Sequence, residues 1–453
     1  MTFPAYPSYK DSGSEWLGEI PQHWEAIIAK RLFRNVRDVA QPSAEQLAAT
    51  QAYGVIPQKD FMERNDVKVV LALAGTHNFK EVLVDDFVIS LRSFQGGIEH
   101  SAYSGCVSPA YTVLRQNSAG VTSPNFFKYL LKDGAYISAL QSVTTGIREG
   151  KTITYDQFGS LLLPVAPFSE QAQIARFLDH ETARIDALIE EQQRLIELLK
   201  EKRQAMISHA VTKGLAPTVP MKDSGVEWLG QVPAHWTVTK LKFVIDQVVD
   251  CPHETPIYDP DGDYLVIRTA DIDQGVLKPE RMYRLDREQY NHRIRRMPLE
   301  KNDVVYSREG ERWGHAALVP QGGLYALGQR MMQLRVCSSI CPEFFMYQLN
   351  SITTYRQGEV DTVGATAPHV NISTVINYCL TRPAMAEQKE ISHYLNKNLS
   401  ALDCLIGESL EMKALLQERR SALISAAVTG KIDVRGWQPP TSVQAPVLEA
   451  EAV

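Results

Sequence analysis

The chain is written twice, and that repeat constrains its fold more than any single motif. Residues 10–24 read KDSGSEWLGEIPQHW and residues 222–236 read KDSGVEWLGQVPAHW, identical at 11 of 15 positions at an offset of 212. A second pair holds a constant offset of 217: EQAQIARFLDHETARIDALIEEQQRLIELLKEKRQAMISHAVTKG (170–214) against EQKEISHYLNKNLSALDCLIGESLEMKALLQERRSALISAAVTGK (387–431). Self-similarity at a fixed spacing means that one structural unit recurs. The chain is therefore two tandem units of about 212 residues, followed from Asp433 by a tail rich in Pro, Ala and Val.

The copies agree at their edges and diverge in their middles. Segments 25–169 and 237–386, 145 and 150 residues long, share one echo, Asp86-Phe87-Val88-Ile89-Ser90 against Asp303-Val304-Val305-Tyr306-Ser307. A duplication kept for stability alone gives no reason for such divergence. Both middles contain β-branched and aromatic runs separated by Gly, Pro, Asn and Asp: EVLVDDFVISLR (81–92), AYTVLR (110–115), DYLVIRTADI (263–272) and NDVVYSREG (302–310). These are strand and turn signals, and they predict an α+β fold for each middle.

From Glu170 to about Val211 there is no Pro and no Gly, which predicts a long helix over 170–211. Steps of four and three from Ile174 meet Ile174, Leu178, Ile185, Leu188, Leu195, Leu199 and Met206, with polar steps at Glu181, Gln192 and Lys202. The second copy gives Ile391, Leu395, Leu402, Leu405, Met412, Leu416 and Leu423, interrupted at Asn398, Ser409 and Arg419. A matched heptad seam predicts two antiparallel helices in a coiled coil, the polar steps setting register. Forty-two residues make a rod of roughly 60 Å, too long for one small domain. The expected architecture is two globular domains in tandem, separated by that pair and pseudo-two-fold symmetric. The bland alternative is that each helix covers its own domain. The boundaries read 1–24, an N-terminal repeated segment; 25–165, a first variable domain; and 166–236, the first helix with the second opening motif. Then come 237–385, a second variable domain; 386–432, the second helix; and 433–453, a flexible tail.

Composition narrows function. Among 453 residues, 47 Lys+Arg face 53 Asp+Glu, a net charge of −6, so bulk electrostatics do not hold nucleic acid, although a local basic groove remains open. No stretch approaches eighteen apolar residues, and the start shows no basic or apolar leader. Six scattered cysteines suit a reducing cytosol, so a cytoplasmic location is expected. TGIREGKT (145–152) puts Thr145 where a phosphate-cradling loop needs Gly. Pro260-Asp261 has no acid two residues before Lys278, as a metal nuclease core requires. Cys251, His253, Cys337 and Cys341 lack a second ligand pair at zinc spacing and read as free thiols. His23 and His235, each before a Trp, read as caps of an aromatic pocket. No active site and no metal site are expected.

Binding remains. The two middles are nearly neutral: 14 basic against 13 acidic residues over 25–165, and 17 against 18 over 237–383. Reading bases takes a few placed Arg, Gln or Asn side chains, with basic residues nearby for phosphates. Candidates in the first domain are Lys59, Arg92, Gln95 and Arg115. In the second they are Arg268, Arg293, Arg295, Arg296, Arg308, Arg312, Gln329 and Arg330, with HRIRR (292–296) the densest cluster. Off the helical seam, Ile189, Ile196, Leu198, Ile406 and Leu415 could dock partner helices or face the variable domains.

This pattern resembles the specificity (S) subunit of type I restriction–modification enzymes. The resemblance rests on SEWLGEIPQHW and VEWLGQVPAHW, on PVAPFSEQ (164–171) with IARFLD, and on RPAMAEQKEISHYLN (382–396), where the Pro stands one residue farther from Glu387. YLVIRTADI, NDVVYSREG and SPAYTVLR (108–115) add to it, and it spans residues 9–432. It implies a non-catalytic chain whose two target recognition domains each read one half of a split, asymmetric DNA site, the helices setting the gap. It also implies partners: two methyltransferase (M) subunits using S-adenosylmethionine to methylate adenine, and two restriction–translocase (R) subunits using ATP and Mg. No cofactor would bind this chain, and no membrane would be a partner. The competing expectation is a coiled-coil scaffold presenting two protein-binding domains.

Overall fold

The computed structural model describes residues 3–65, 78–90, 97–118, 120–143, 153–310, 312–360 and 369–440. They fall into two compact units, Met1–Gln192 with Met412–Val453, and Gln193–Glu411. The long helices run over Phe168–Lys213 and Met385–Val428. Each begins just after a proline and ends at a glycine with positive φ, Gly214 at 77° and Gly430 at 74°. Those are the start and stop signals helices favour.

Each unit contains parts of both helices, packed antiparallel. In the first unit, Ile174 and Leu178 share a core with Ile424 and Val428, while Asp186 farther along pairs with Arg420. In the second, Ile207 and Val211 share a core with Ile391 and Leu395, and Arg203 pairs with Asp403. The buried and half-buried stripe runs Ile174, Leu178, Glu181, Ile185, Ile189, Gln192, Ile196, Leu199, Arg203, Ile207, Ala210, ten steps over 36 residues. The second helix repeats it from Ile391 to Ala427 at offset 217.

That is the 3.6-residue period of an α-helix, whereas the sequence reading assumed a strict heptad of 3.5. The heptad drifts off the buried face past Ile185. Leu188, Leu195, Leu405 and Met412, expected in the seam, are 40%, 41%, 48% and 48% exposed, and Met206, Leu416 and Leu423 are half-buried. Conversely Ile196, read as off the seam, is buried; Ile189 and Ile406 are half-buried, and Leu198 and Leu415 stay exposed. Arg203 and Arg420 point inward in place of Lys202 and Arg419.

The variable middles share a plan. The first has an antiparallel sheet ordered Phe33–Val36, Thr112–Gln116, Phe87–Ile89, Ile98–His100. The second has Ile245–Asp250, Met331–Val336, Val304–Ser307, Ala316–Leu318. The echoed pentapeptides supply the third strand of each. Before it stands a residue with left-handed backbone, Asp85 at φ 72° or Asn302 at 73°, then a buried aspartate. Asp86 Oδ2 accepts from Leu83 N and Asp303 Oδ2 from Glu300 N, both 2.8 Å, closing the turn. The second domain adds a three-stranded sheet, Tyr283–Leu285, Tyr264–Ile267 and Tyr325–Leu327, the last two parallel.

Each domain is framed by a two-stranded ribbon, Glu25–Ile28 with Leu162–Val165 and Thr237–Lys240 with Cys379–Arg382. The Glu-Gln pair opening each helix repeat ties the frame together. Glu170 is buried and accepts from Tyr6 Oη (2.6 Å) and Trp24 Nε1 (2.9 Å), with His23 Nε2 at 2.8 Å. Glu387 meets His235 Nε2 at 3.0 Å. Gln171 accepts from Ser123 N (2.7 Å) and donates to the Ala166 carbonyl (2.8 Å); Gln388 accepts from Cys341 N (2.8 Å) and donates to the Pro383 carbonyl (2.9 Å).

The tail from Asp433, expected to be flexible, is packed as far as Trp437. Asp433 N donates to the Pro4 carbonyl (2.7 Å), Val434 is buried, and Gln173 Nε2 donates to the Trp437 carbonyl (2.6 Å). The Trp437 ring meets Phe177 edge-on with centroids 5.3 Å apart. The first unit thus buries chain from both ends of the sequence, which composition could not reveal. Among the described residues no helix is long and apolar enough to cross a membrane.

Candidate nucleic-acid interface

Folding consumes several of the expected DNA-reading side chains. Arg115 donates from Nε and Nη2 to Asp86 (2.9 and 2.7 Å), with Glu81 at 3.5 Å and Asp38 at 3.7 Å. The bond to the Asp86 carboxylate holds its guanidinium above the usual arginine value. Arg335 does the same to Asp303 in the second domain at 2.8 Å, so Arg115 is one half of a repeated strand-to-strand clamp. Arg268 forks onto the buried Asp271 carboxylate (2.8 and 2.7 Å) and lies 3.7 Å above the Tyr283 ring. Arg312 Nη1 caps the carbonyls of Ala270 (3.1 Å) and Ile272 (3.0 Å). Lys59 is exposed and paired with Glu45 at 2.9 Å, which keeps its ammonium charged. Arg92, Gln95 and the TGIREGKT segment from 145 lie outside the described residues.

The remaining candidates converge on one loop of the second domain, Asp250–Glu254. Arg308 donates to Asp250 Oδ1 (2.8 Å) and to the Val370 carbonyl (3.2 Å). Buried Arg293 donates to the carbonyls of Leu327 (2.6 Å), Glu254 (3.2 Å) and Pro252 (3.3 Å), and its burial lowers the guanidinium from its ordinary value. Arg296, exposed, donates to the Asp250 carbonyl (3.3 Å), and His253 meets Asp250 Oδ2 at 2.9 Å. His292 bonds the Glu254 carboxylate and pulls its pKa down. Arg308 N donates to the Arg330 carbonyl (3.0 Å), which brings the exposed Arg330 to the same place. Arg330 sits at φ 68°, a strained conformation for a residue with a side chain, next to half-buried Gln329.

Two kinds of arginine result. Arg293 and Arg308 are buried struts that shape the loop. Arg295, Arg296 and Arg330 are exposed; among the described residues Arg295 makes no hydrogen bond, and Arg330 has Glu309 at 3.4 Å. Exposed guanidiniums beside a loop tied down by buried arginines suit phosphate and base-edge contacts.

The first domain has its own basic strip, which sequence reading missed. Lys30, Arg31, Arg34 and Arg37 are all exposed, and Arg34 lies on the edge strand Phe33–Val36 while its neighbours Phe33 and Val36 are buried. The signal was the basic spacing in KRLFRNVR against buried apolar partners. Density of charge drew attention to HRIRR instead.

Known proteins similar to this chain share one family name. The family model of the type I restriction modification DNA specificity domain matches residues 251–407. The chain is 23% identical over 363 residues to the Type I restriction enzyme MjaVIII specificity subunit of Methanocaldococcus jannaschii, covering 79% of this chain and 81% of that one. Its fold is similar to a chain of a type I R-M system solved for complex assembly and conformational transition, with a TM-score of 0.68, 16% identity, and coverage of 91% and 99%. It is also similar to the HsdS subunit from Thermoanaerobacter tengcongensis, with a TM-score of 0.50, 15% identity, and coverage of 91% and 98%. The chain thus carries a match to the type I restriction modification DNA specificity domain over residues 251–407, and over most of its length it is similar in sequence to a type I restriction enzyme specificity subunit and in fold to a chain of a type I R-M system.

Proposed function

We propose that this subunit reads a split, asymmetric DNA sequence, one half per recognition domain, and carries methyltransferase and restriction subunits to it without doing chemistry itself. The observation that carries the reading is the exposed Arg295, Arg296 and Arg330 gathered beside the Asp250–Glu254 loop, which buried Arg293 and Arg308 fix. Guanidiniums held by an ordered scaffold suit bidentate contacts to guanine edges and phosphates. Divergent centres in a constant frame suit two different half-sites. S-adenosylmethionine, ATP and Mg belong to the partners in this reading. The exposed apolar residues at matching positions of both helices, Leu198 and Leu415 with Leu188, Leu195, Leu405 and Met412, offer apolar surface for methyltransferase helices.

Mapping N6-methyladenine across the genome of cells carrying the methyltransferase gene, with and without this chain, tests the reading. A split motif methylated only in its presence supports it. No new motif, with an active methyltransferase confirmed beside another specificity subunit, rejects it in favour of the protein scaffold. Replacing Arg295 and Arg296 with Ala weakens DNA binding of the complex and flattens its salt dependence by about one unit of slope for each phosphate no longer held. Unchanged affinity across a salt titration removes that cluster from the interface.

A further inference from the structure

Arg203 lies on the inward face of the first long helix, 8% exposed, with all three guanidinium nitrogens engaged. Nε donates to Asp403 Oδ1 of the second helix (2.8 Å), Nη1 to Gln274 Oε1 (2.7 Å) and Nη2 to the Gln274 carbonyl (3.0 Å). Both helices and the second recognition domain therefore meet on one side chain. Gln274 forms the turn between Ile272–Asp273 and Val276–Leu277 at φ 25°, a conformation a glutamine seldom adopts. A strained turn persists only where its surroundings over-determine it, and two bonds from Arg203 do so here.

A cavity of about 710 Å³ opens beside this side chain, between Lys200, Asp403 and Ile406 of the helices and Val276, His315 and Tyr355 of the domain. Around the cavity the helix reaches the domain through polar contacts, Arg203 to Gln274 on one side and, on the other, Gln204 Nε2 donating to the Asn350 carbonyl (2.8 Å) and Ser208 Oγ accepting from Ile352 N (3.0 Å). The repeat supplies an internal control. Arg420 and Asp186 are the counterparts of Arg203 and Asp403 at offset 217, and Arg420 donates to Asp186 at 2.7 and 3.1 Å. Among the described residues it hydrogen-bonds nothing in the first recognition domain.

We propose that Arg203 fixes the angle at which the second recognition domain leaves the helix pair, and thereby how strictly the complex counts the base pairs between half-sites. The proposal rests on the reading that this chain recognises a split site. One base pair added to the gap shifts the half-site by about 3.4 Å and turns it by about a tenth of a helical turn, so strict counting needs a domain that cannot tilt. Arg203 is a positioning residue and touches no DNA in this role.

The test uses the full chain in complex with its methyltransferase subunits, acting on duplexes whose gap is the mapped length or one base pair shorter or longer. In Arg203→Ala and Arg203→Lys, methylation of the altered gaps relative to the mapped one rises about tenfold, the worth of one charge-assisted hydrogen bond. Arg420→Ala keeps wild-type selectivity. Gln274→Gly, which relieves the turn and removes one bond, relaxes selectivity in the same direction without touching the helices. Unchanged gap selectivity in Arg203→Lys, in complexes that still methylate the mapped site, overturns the proposal. Equal relaxation in Arg420→Ala also overturns it, since the effect would then belong to helix pairing. A wild-type complex that methylates no split sequence overturns the underlying reading, and this proposal with it.

Discussion

At the scale of residues, the repeated Glu-Gln pair explains why the edges of the two copies stay alike. Gln171 and Gln388 are fully buried, and each satisfies a backbone N–H and carbonyls from different segments. Replacing either with Ala strands those groups, at about 3 kcal/mol. Denaturant unfolding of each variant measures this, and a loss below about 1 kcal/mol would mean that water replaces the amide. His315 gives a pH dependence. Burial, the largest cause, lowers its pKa from 6.5, with Arg312 and Arg203 acting the same way and Asp273 and a bond to the Ile272 carbonyl opposing. The unfolded chain therefore takes up this proton first, so stability is complete above about pH 6.5 and declines as pH falls below it. Melting followed from pH 7.5 to 5 in wild type and His315→Gln should show a shallower acid decline in the variant. Parallel curves would place the acid sensitivity elsewhere.

At the scale of elements, the two helices separate packing from docking. Ile185 is buried, and Ile185→Ala should cost about 2–5 kcal/mol in unfolding experiments. Leu198 and Leu415 are exposed, and their joint replacement by Arg should change stability by less than about 1 kcal/mol while preventing co-purification with the methyltransferase subunit. Retained co-purification would move the docking surface off this face. The echo DDFVIS and NDVVYS belongs to the same scale. It survives between divergent domains because its left-handed residue and buried aspartate build the turn and clamp that register the third strand.

At the scale of the molecule, constant frames and variable domains predict modular behaviour. Exchanging residues 25–165 for another recognition domain should change one half of the methylated sequence and leave the other, as methylome mapping would show. Changes in both halves would defeat modularity. Inserting about one helical turn after Gln192 should alter the gap with both half-sites intact; an unchanged gap would mean that the helices are not the ruler.

The sequence by itself determined the duplication, the two long helices, the strands at 87–89, 112–116, 264–267 and 304–307, and the resemblance to type I specificity subunits. These are legible because repeats, periodicity and propensity are local in the chain. Only the tertiary structure decided which leucines face inward, since a seam read at 3.5 and one read at 3.6 part company within a few turns. Only it decided that Arg115, Arg268, Arg293 and Arg308 serve the fold whereas Arg295, Arg296 and Arg330 face outward. A guanidinium has one chemistry, and its role depends on whether a carboxylate or carbonyl distant in sequence arrives beside it. The same reasoning covers the tail, where Val434 and Trp437 find their pocket among residues from the other end of the chain.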